Sequence, residues 1–122
     1  KKLNWKIDHN HASILIQNCN LGIVFLSSVC LDIIAMKKPV LEFWINNEDN
    51  HGLIKKGNKF FTTYQLNKLV KHVESFKDLS KNIKFLNNKN NYNQTVKLQY
   101  KNFLRVNKLN KYNSKKVIDQ IL

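Results

Sequence analysis

The segment Phe25-Leu26-Ser27-Ser28-Val29-Cys30-Leu31-Asp32 holds the residue types and the spacing best suited to chemistry in this chain. Two small hydroxyl residues stand where an apolar run, Leu21 to Leu26, gives way to a helical pattern. The first amides of a helix have no partner within it, and the helix dipole is positive there. A turn of this kind binds phosphate through backbone N–H groups, assisted by serine hydroxyls. Asp32 follows Ser28 by about one helical turn, on the same side. Its carboxylate is suited to accepting hydrogen bonds from a ribose diol. A serine N-cap followed by an acid near the helix start is the plain structural alternative for the same residues.

Other constellations carry less. His9-Asn10-His11 reads as surface histidine. Glu48, Asp49 and His51 are the donor types of an oxygen/nitrogen metal site, but a polar loop accounts for them. Cys19, Cys30 and His72 do not have zinc spacing, and both cysteines lie in apolar segments, as buried structural thiols do. No metal is expected, and no Ser-His-Asp or Cys-His arrangement is present. Tyr92, Val96, Tyr100 and Phe103 recur at spacings of four, four and three. They read as a helix face packed on the core rather than a platform for stacking bases.

The Ser-Ser turn needs flanking elements to position it. Leu21-Gly22-Ile23-Val24-Phe25-Leu26 reads as a strand buried on both faces of a parallel sheet. Val29 to Met36, apolar except for Asp32, reads as a helix that Lys37-Lys38 ends and Pro39 prevents from continuing. Val40-Leu41-Glu42-Phe43-Trp44 reads as the next strand. Together these form a compact βαβ unit, which joins parallel strands by a right-handed crossover.

Around that unit, alternation of Leu3, Trp5 and Ile7 predicts a short strand. Asp8 or Asn10 is placed to cap a helix from about His11 to Asn18, with Ile14 and Leu15 facing inward. Ile45 to Asn58 reads as a loop, and Lys59 to Thr62 as a third short strand. Leu66, Leu69, Val70 and Val73 predict a helix from Tyr64 to about Phe76, capped by Thr63. From Leu79 onward the pattern is helical and rich in Lys and Asn, closing with a helix capped by Ser114. The expected fold is α/β in a single domain: a partial Rossmann-like parallel sheet over residues 1–76, then several helices over 77–122.

At 122 residues the chain has room for one domain. It contains no run of 18 apolar residues, which excludes a spanning helix. There is no signal-peptide pattern and no initiator Met, so the sequence reads as a piece of a longer protein. Two cysteines are too few for a disulfide scaffold and point to a reducing, cytoplasmic setting. The formal net charge is +13. Residues 1–54 hold five lysines against five acids, and residues 55–122 hold sixteen basic residues against three acids. The basic residues are 20 Lys and one Arg, Arg105. Sites built to grip phosphate or read bases recruit Arg for its planar fork. Abundant Lys, Asn and Ile is also the product of an AT-rich coding sequence. A basic, non-catalytic module binding nucleic acid or an anionic membrane surface is the alternative that the charge keeps open.

The run from Ser27 to Leu41, with Ser27-Ser28-Val29, Asp32 and Lys37-Lys38-Pro39-Val40-Leu41, resembles the donor-site segment of GT-B glycosyltransferases of surface and capsule polysaccharide synthesis. Ser-Ser-Val followed by Asp is similar also to the glycerophosphotransferases that use CDP-glycerol. Gly57 to Thr62 with the helix pattern after it, and Tyr100 to Phe103 with Asn113 to Ile118, resemble later elements of the same domain. The resemblance spans roughly residues 10–122. It implies that Ser27, Ser28 and Val29 contact the donor diphosphate, that Asp32 holds the ribose, and that His51 and Gly52 make loop contacts. It also implies a nucleotide-sugar or CDP-polyol donor as substrate rather than cofactor, and a polysaccharide or lipid-linked acceptor. An amino-terminal domain upstream and a peripheral position at the inner face of the cell membrane are implied as well. The fragment alone is then expected to be inactive, and no catalytic residue is assigned.

Overall fold

The computed structural model describes Asn4, residues 6–44 and residues 53–121, without the side chains of 109–118 and 121. The described residues are mixed α/β, with five helices, a three-stranded parallel sheet and a two-stranded hairpin. Helix α1 (Ala12–Gln17) leads into strand β1 (Gly22–Val24), helix α2 (Val29–Ala35) and strand β2 (Val40–Phe43). Strands β3 (Ile54–Lys56) and β4 (Lys59–Phe61) form the hairpin. A single-turn helix α3 (Thr63–Leu66), strand β5 (Lys71–Val73), helix α4 (Phe76–Leu86) and the long helix α5 (Lys89–Ile121) complete the order.

The expected βαβ unit is present. β1 and β2 pair in parallel with Gly22 opposite Val40 and Val24 opposite Glu42. The connection through α2 has a definite stop. Lys37 adopts φ 58°, its N–H donates to the Ile34 carbonyl at 2.9 Å, and the Lys38 N–H donates to the Ile33 carbonyl at 3.3 Å. That is a Schellman motif with lysine where glycine is usual, and Pro39 follows it. The Lys38 ammonium serves a different helix: it donates to the carbonyls of Ile16, Gln17 and Cys19, collecting the carboxyl end of α1. Gly22 is needed because a Cβ there would lie 2.4 Å from Ile33 Cδ1 of α2.

Parallel strand β5 lies on the other side of β2, with Glu42 opposite His72. This corrects the expected helix from Tyr64 to Phe76. The helical turn is capped one residue earlier than expected, by Thr62, whose hydroxyl accepts from the Gln65 N–H at 3.1 Å. It stops at a second Schellman motif: Lys68 sits at φ 58°, its N–H bonds the Gln65 carbonyl, and the Leu69 N–H bonds the Tyr64 carbonyl. Leu69, Val70 and Val73 are buried as expected, but in a strand and its approach. Ser75 then caps α4 through the Asp78 N–H.

Alternation along β2 puts Val40 and Glu42 on one face and Leu41 and Phe43 on the other. On the first face Val40, Val24, Cys30, Ile33, Ile34, Leu69 and Val70 form a core with Ile16, and Tyr100, Phe103 and Val106 of α5 pack against it. Of the stripe on α5, Tyr100 and Phe103 are therefore core packing, while the Tyr92 hydroxyl donates to the Asn20 carbonyl at 2.7 Å. Leu41 and Val73 are buried on the second face, where α4 lies: Phe76 meets Phe43 at a ring distance of 5.3 Å, and Lys71 Nζ sits 4.6 Å from the Phe85 ring centre.

Several boundaries differ from expectation. β1 is shorter than the apolar run Leu21–Leu26 because Leu26 takes φ 50° and turns the chain out of the sheet. α1 is capped by His11, whose Nδ1 accepts from the Ser13 N–H at 3.2 Å, while the Asp8 carboxylate is held by Asn10. Ile16 is its buried residue and Ile14 is exposed. Of the expected strand Leu3–Ile7, Leu3 and Trp5 lie outside the described residues, and Asn4, Lys6 and Ile7 carry no strand. Of the expected loop, residues 45–52 lie outside the described residues, while 54–58 belong to the hairpin, turning through Gly57 at φ 63°. The expected strand at Lys59–Thr62 is β4, paired antiparallel to β3 rather than joined to the parallel sheet. Ser114 starts no helix, since α5 runs through it unbroken. Among the described residues, no helix is long and apolar enough to cross a membrane.

Candidate functional site

The carboxyl ends of the three parallel strands form the edge where open α/β sheets place ligands. Three groups of side chains meet that edge. The first is the serine turn. Ser27 is the effective cap of α2: its Oγ accepts from the Val29 N–H at 3.2 Å and its carbonyl accepts from the Cys30 N–H at 3.3 Å. Ser28 already has helical backbone angles, makes no capping bond and is exposed. The turn is reached through Leu26, a non-glycine residue in the left-handed region, a conformation that costs energy and clusters at ligand sites.

The second group is a buried polar network that sequence reasoning did not assign to a site. Glu42 is fully buried on the central strand. Its Oε1 accepts from Trp44 Nε1 at 3.0 Å and from Thr62 Oγ1 at 2.9 Å, while among the described residues its Oε2 has no hydrogen-bond partner. Thr62 thus links the carboxylate to the amino end of α3, since the same hydroxyl caps that helix. His72, across the ladder, stacks on Trp44 at a ring distance of 4.7 Å. Its Nδ1 lies 3.9 Å from Glu42 Oε1 and its Nε2 lies 3.5 Å from Glu74 Oε1. Burial pulls the His72 pKa down from the usual imidazole value, with Glu74, Glu42 and Asp78 pulling the other way. The two carboxylates flank opposite nitrogens of the ring, so they cannot close on one cation. Among the described residues, no group of three or more His, Cys, Asp or Glu is placed to hold a metal.

The third group is aromatic. Phe25, Phe43 and Phe76 stand at the ends of β1, β2 and β5, with Phe25 and Phe43 at 5.7 Å edge to face. Phe25 and Phe76 are exposed. An exposed aromatic cluster on a ligand-bearing edge is a surface suited to a planar ring or an apolar partner.

The remaining candidate residues fall elsewhere. Asp32 is exposed one turn into α2 and lines a groove of about 260 Å³ together with His11, Ser13 and Met36; neither Ser27 nor Ser28 is among its lining residues. His51 and Gly52 lie outside the described residues, as do Glu48 and Asp49. His9 and His11 are exposed. No protein-family model, no curated protein and no solved structure matches the chain.

Cys30 is fully buried behind the serine turn, and burial, with Glu42 adding to it, pushes its thiol up to about 12. Reactive cysteines need the opposite, a lowered pKa and access, so Cys30 is a packing residue. Cys19 is half-buried, with its Sγ donating to the Ile16 carbonyl at 3.4 Å. Iodoacetamide should therefore label Cys19 alone in the native protein and Cys30 only after denaturant is added, as read by mass spectrometry. Labelling of both at comparable rates would mean that the edge of the sheet opens.

One member of the buried network, Glu42, left a signal in the sequence. Glu42 is a single acid in an otherwise apolar strand after Pro39, and a charge almost never sits in a buried strand without a specific role or partner.

Proposed function

We propose that this chain is the Rossmann-like, donor-binding part of a GT-B-type transferase that moves a sugar or polyol phosphate from a nucleotide-activated donor to a surface polysaccharide or lipid-linked acceptor. The observation that carries the reading is the position of the Ser27-Ser28 turn. It joins β1 to α2 at the carboxyl edge of a parallel sheet, and the chain returns through Lys37-Lys38-Pro39 into a parallel neighbour. In such a site the donor diphosphate meets the exposed Ser28 hydroxyl and competes with Ser27 for the Val29 and Cys30 amides, and Asp32, in its groove beside α1, is the ribose partner that the resemblance implies. Transfer from such donors asks the protein for positioning and for stabilisation of the departing diphosphate. The turn supplies both through fixed dipoles.

The charge fits a membrane-side acceptor. Among the described residues one lysine meets a carboxylate, Lys6 at 4.0 Å from Asp8. Among the described residues, the lysines of α4 and of α5 up to Lys108 meet no carboxylate, a positive field of the kind that attracts anionic lipid.

Titration of UDP and CDP into isotope-labelled protein tests the reading. Backbone signals of Ser27, Ser28 and Val29 should shift. Ser28→Ala should weaken binding by about two- to tenfold, the range expected for one neutral hydrogen bond. Asp32→Ala should cost more, and Asp32→Asn should fall between them because an amide oxygen still accepts. The melting temperature is measured alongside, since loss of a first-turn acid itself costs up to about 1 kcal/mol. If Asp32→Ala binds as well as the parent, Asp32 is only a helix-start acid. Absence of any shift at 27–29 ends the donor reading.

A further inference from the structure

A second cavity, at the opposite end of the sheet from the serine turn, has a chemistry of its own. A groove of about 440 Å³ opens where β5 begins, between α3, α4 and α5. That is within the size range of small-ligand pockets. Its walls mix apolar and polar groups, with Val70 and Leu98 as aliphatic surface. Gln65, Asn91 and Gln94 supply side-chain amides, Lys68 and Lys71 supply ammonium groups, and Phe85 supplies an aromatic surface with Lys71 Nζ 4.6 Å above it. No acid is among its described lining residues.

The hydrogen-bonding state of these groups matters. The Gln65 Oε1 is buried and, among the described residues, has no hydrogen-bond partner. Asn91 is anchored, its Nδ2 donating to the Phe85 carbonyl at 3.1 Å. Thr95, also in the wall, donates its hydroxyl proton to the Asn91 carbonyl at 2.8 Å, which leaves the hydroxyl oxygen as an acceptor. Amides and hydroxyls that both donate and accept match ligand hydroxyls, which do the same. Two cations without a carboxylate select an anion. A bare inorganic anion would use the lysines and leave the amides idle, and a neutral sugar would leave the lysines unanswered.

We propose that this groove is a binding site for a polyhydroxylated anion, a polyol or sugar phosphate, separate from the donor turn. The phosphate lies between Lys68 and Lys71, and the hydroxyls reach the amides of Gln65, Asn91 and Gln94. The proposal does not depend on the donor reading, because the two sites share no residue.

The probe is glycerol 3-phosphate, with inorganic phosphate and glycerol as controls, titrated into the isotope-labelled chain. Glycerol 3-phosphate is expected to shift the side-chain amide signals of Gln65, Asn91 and Gln94 and the backbone signals of Lys68 and Lys71. It should bind at least about fivefold more tightly than inorganic phosphate, as extra hydrogen bonds to hydroxyls require. Lys71→Gln should weaken binding by roughly tenfold, the effect of losing one charge-assisted contact. Lys68→Gln, at an exposed residue, provides the same test if Lys71→Gln perturbs folding. If phosphatidylglycerol vesicles compete with glycerol 3-phosphate, the natural source is a lipid headgroup; if they do not, it is a free or polymeric ester. Equal affinity for inorganic phosphate, shifts spread over the lysines outside the groove, or no shift at millimolar probe would each overturn the proposal. Loss of nucleotide binding at Ser27–Val29 with this binding intact would overturn the donor reading alone.

Discussion

Glu42→Ala is expected to lower the free energy of unfolding by about 2–4 kcal/mol, and Glu42→Gln by less than about 1 kcal/mol. The difference comes from what each change leaves behind. Alanine removes the acceptor shared by the Trp44 indole N–H and the Thr62 hydroxyl, both in buried residues. Each orphaned donor costs about 1–3 kcal/mol, and the vacated volume adds to that. Relief from burying a carboxylate offsets part of the loss, which keeps the expected total below the sum of its parts. Glutamine keeps an oxygen at the Oε1 position and removes the charge whose second oxygen has no hydrogen-bond partner among the described residues. Urea unfolding of the three proteins gives the comparison. An alanine variant as stable as the parent would mean that the network does not hold Trp44 and Thr62 in place. The same pair of variants separates structure from chemistry. A role in accepting a proton or meeting a cation ends with glutamine, whereas a role in orienting Thr62 and α3 survives it.

The parts of the fold that could be read in the sequence share a physical reason. Leu21 to Leu26 is apolar throughout, α2 is apolar with one acid, and Pro39 marks a sharp restart, so local pattern and tertiary role agree over residues 22–43. Where they diverge, the pattern misleads. Leu66, Leu69, Val70 and Val73 fit a helical period, yet the chain breaks the helix at Lys68 and continues as β5. The break is hard to see because the left-handed position carries lysine and not glycine, which costs about 1–2 kcal/mol that tertiary packing has to supply. The same substitution of lysine for glycine ends α2 at Lys37, where the neighbouring proline gave the stop away. The clearer signal for β5 was Ser75 with Asp78 three residues on, a helix start inside the supposed helix.

The site divides in the same way. Ser27 and Ser28 were legible because a cap is local. The Glu42 network was not, because its parts come from residues 42, 44, 62 and 72, and only the fold brings them together. The separation of Asp32 from the serine turn is also tertiary: α1 packs beside α2 and makes Asp32 part of a groove with His11 and Ser13. A helical wheel gives the direction of a side chain but not the neighbour it meets.

Gln99→Leu is expected to destabilise the protein by about 1–3 kcal/mol, a loss located at one strand end. Gln99 lies on α5, is buried, and holds both backbone groups of Val40: the Val40 N–H donates to its Oε1 at 3.0 Å and its Nε2 donates to the Val40 carbonyl at 3.0 Å. The reason for this clamp lies in the sheet register. β5 pairs with β2 from Leu41 opposite Lys71 onward, so among the described residues the buried Val40 N–H, one residue before the ladder, has no strand acceptor on that side, while the Val40 carbonyl faces the Lys71 N–H. The glutamine amide supplies that acceptor and gives the carbonyl a second donor. Leucine matches its size and leaves the buried Val40 N–H unpaired, costing about 1–3 kcal/mol, while the carbonyl loses its second donor. Some of that is recovered from better burial of the apolar side chain. Gln99→Glu should be damaging for a different reason: it still accepts from the Val40 N–H but turns an oxygen toward the Val40 carbonyl. Urea unfolding gives the totals, and hydrogen exchange at the Val40 amide gives the location. That amide should lose protection by far more than those of Leu41 and Glu42, whose ladder bonds are to strands. If its protection is unchanged in the leucine variant, the clamp is not what orders the start of β2, and α5 is held to the sheet by Tyr100, Phe103 and Val106 alone.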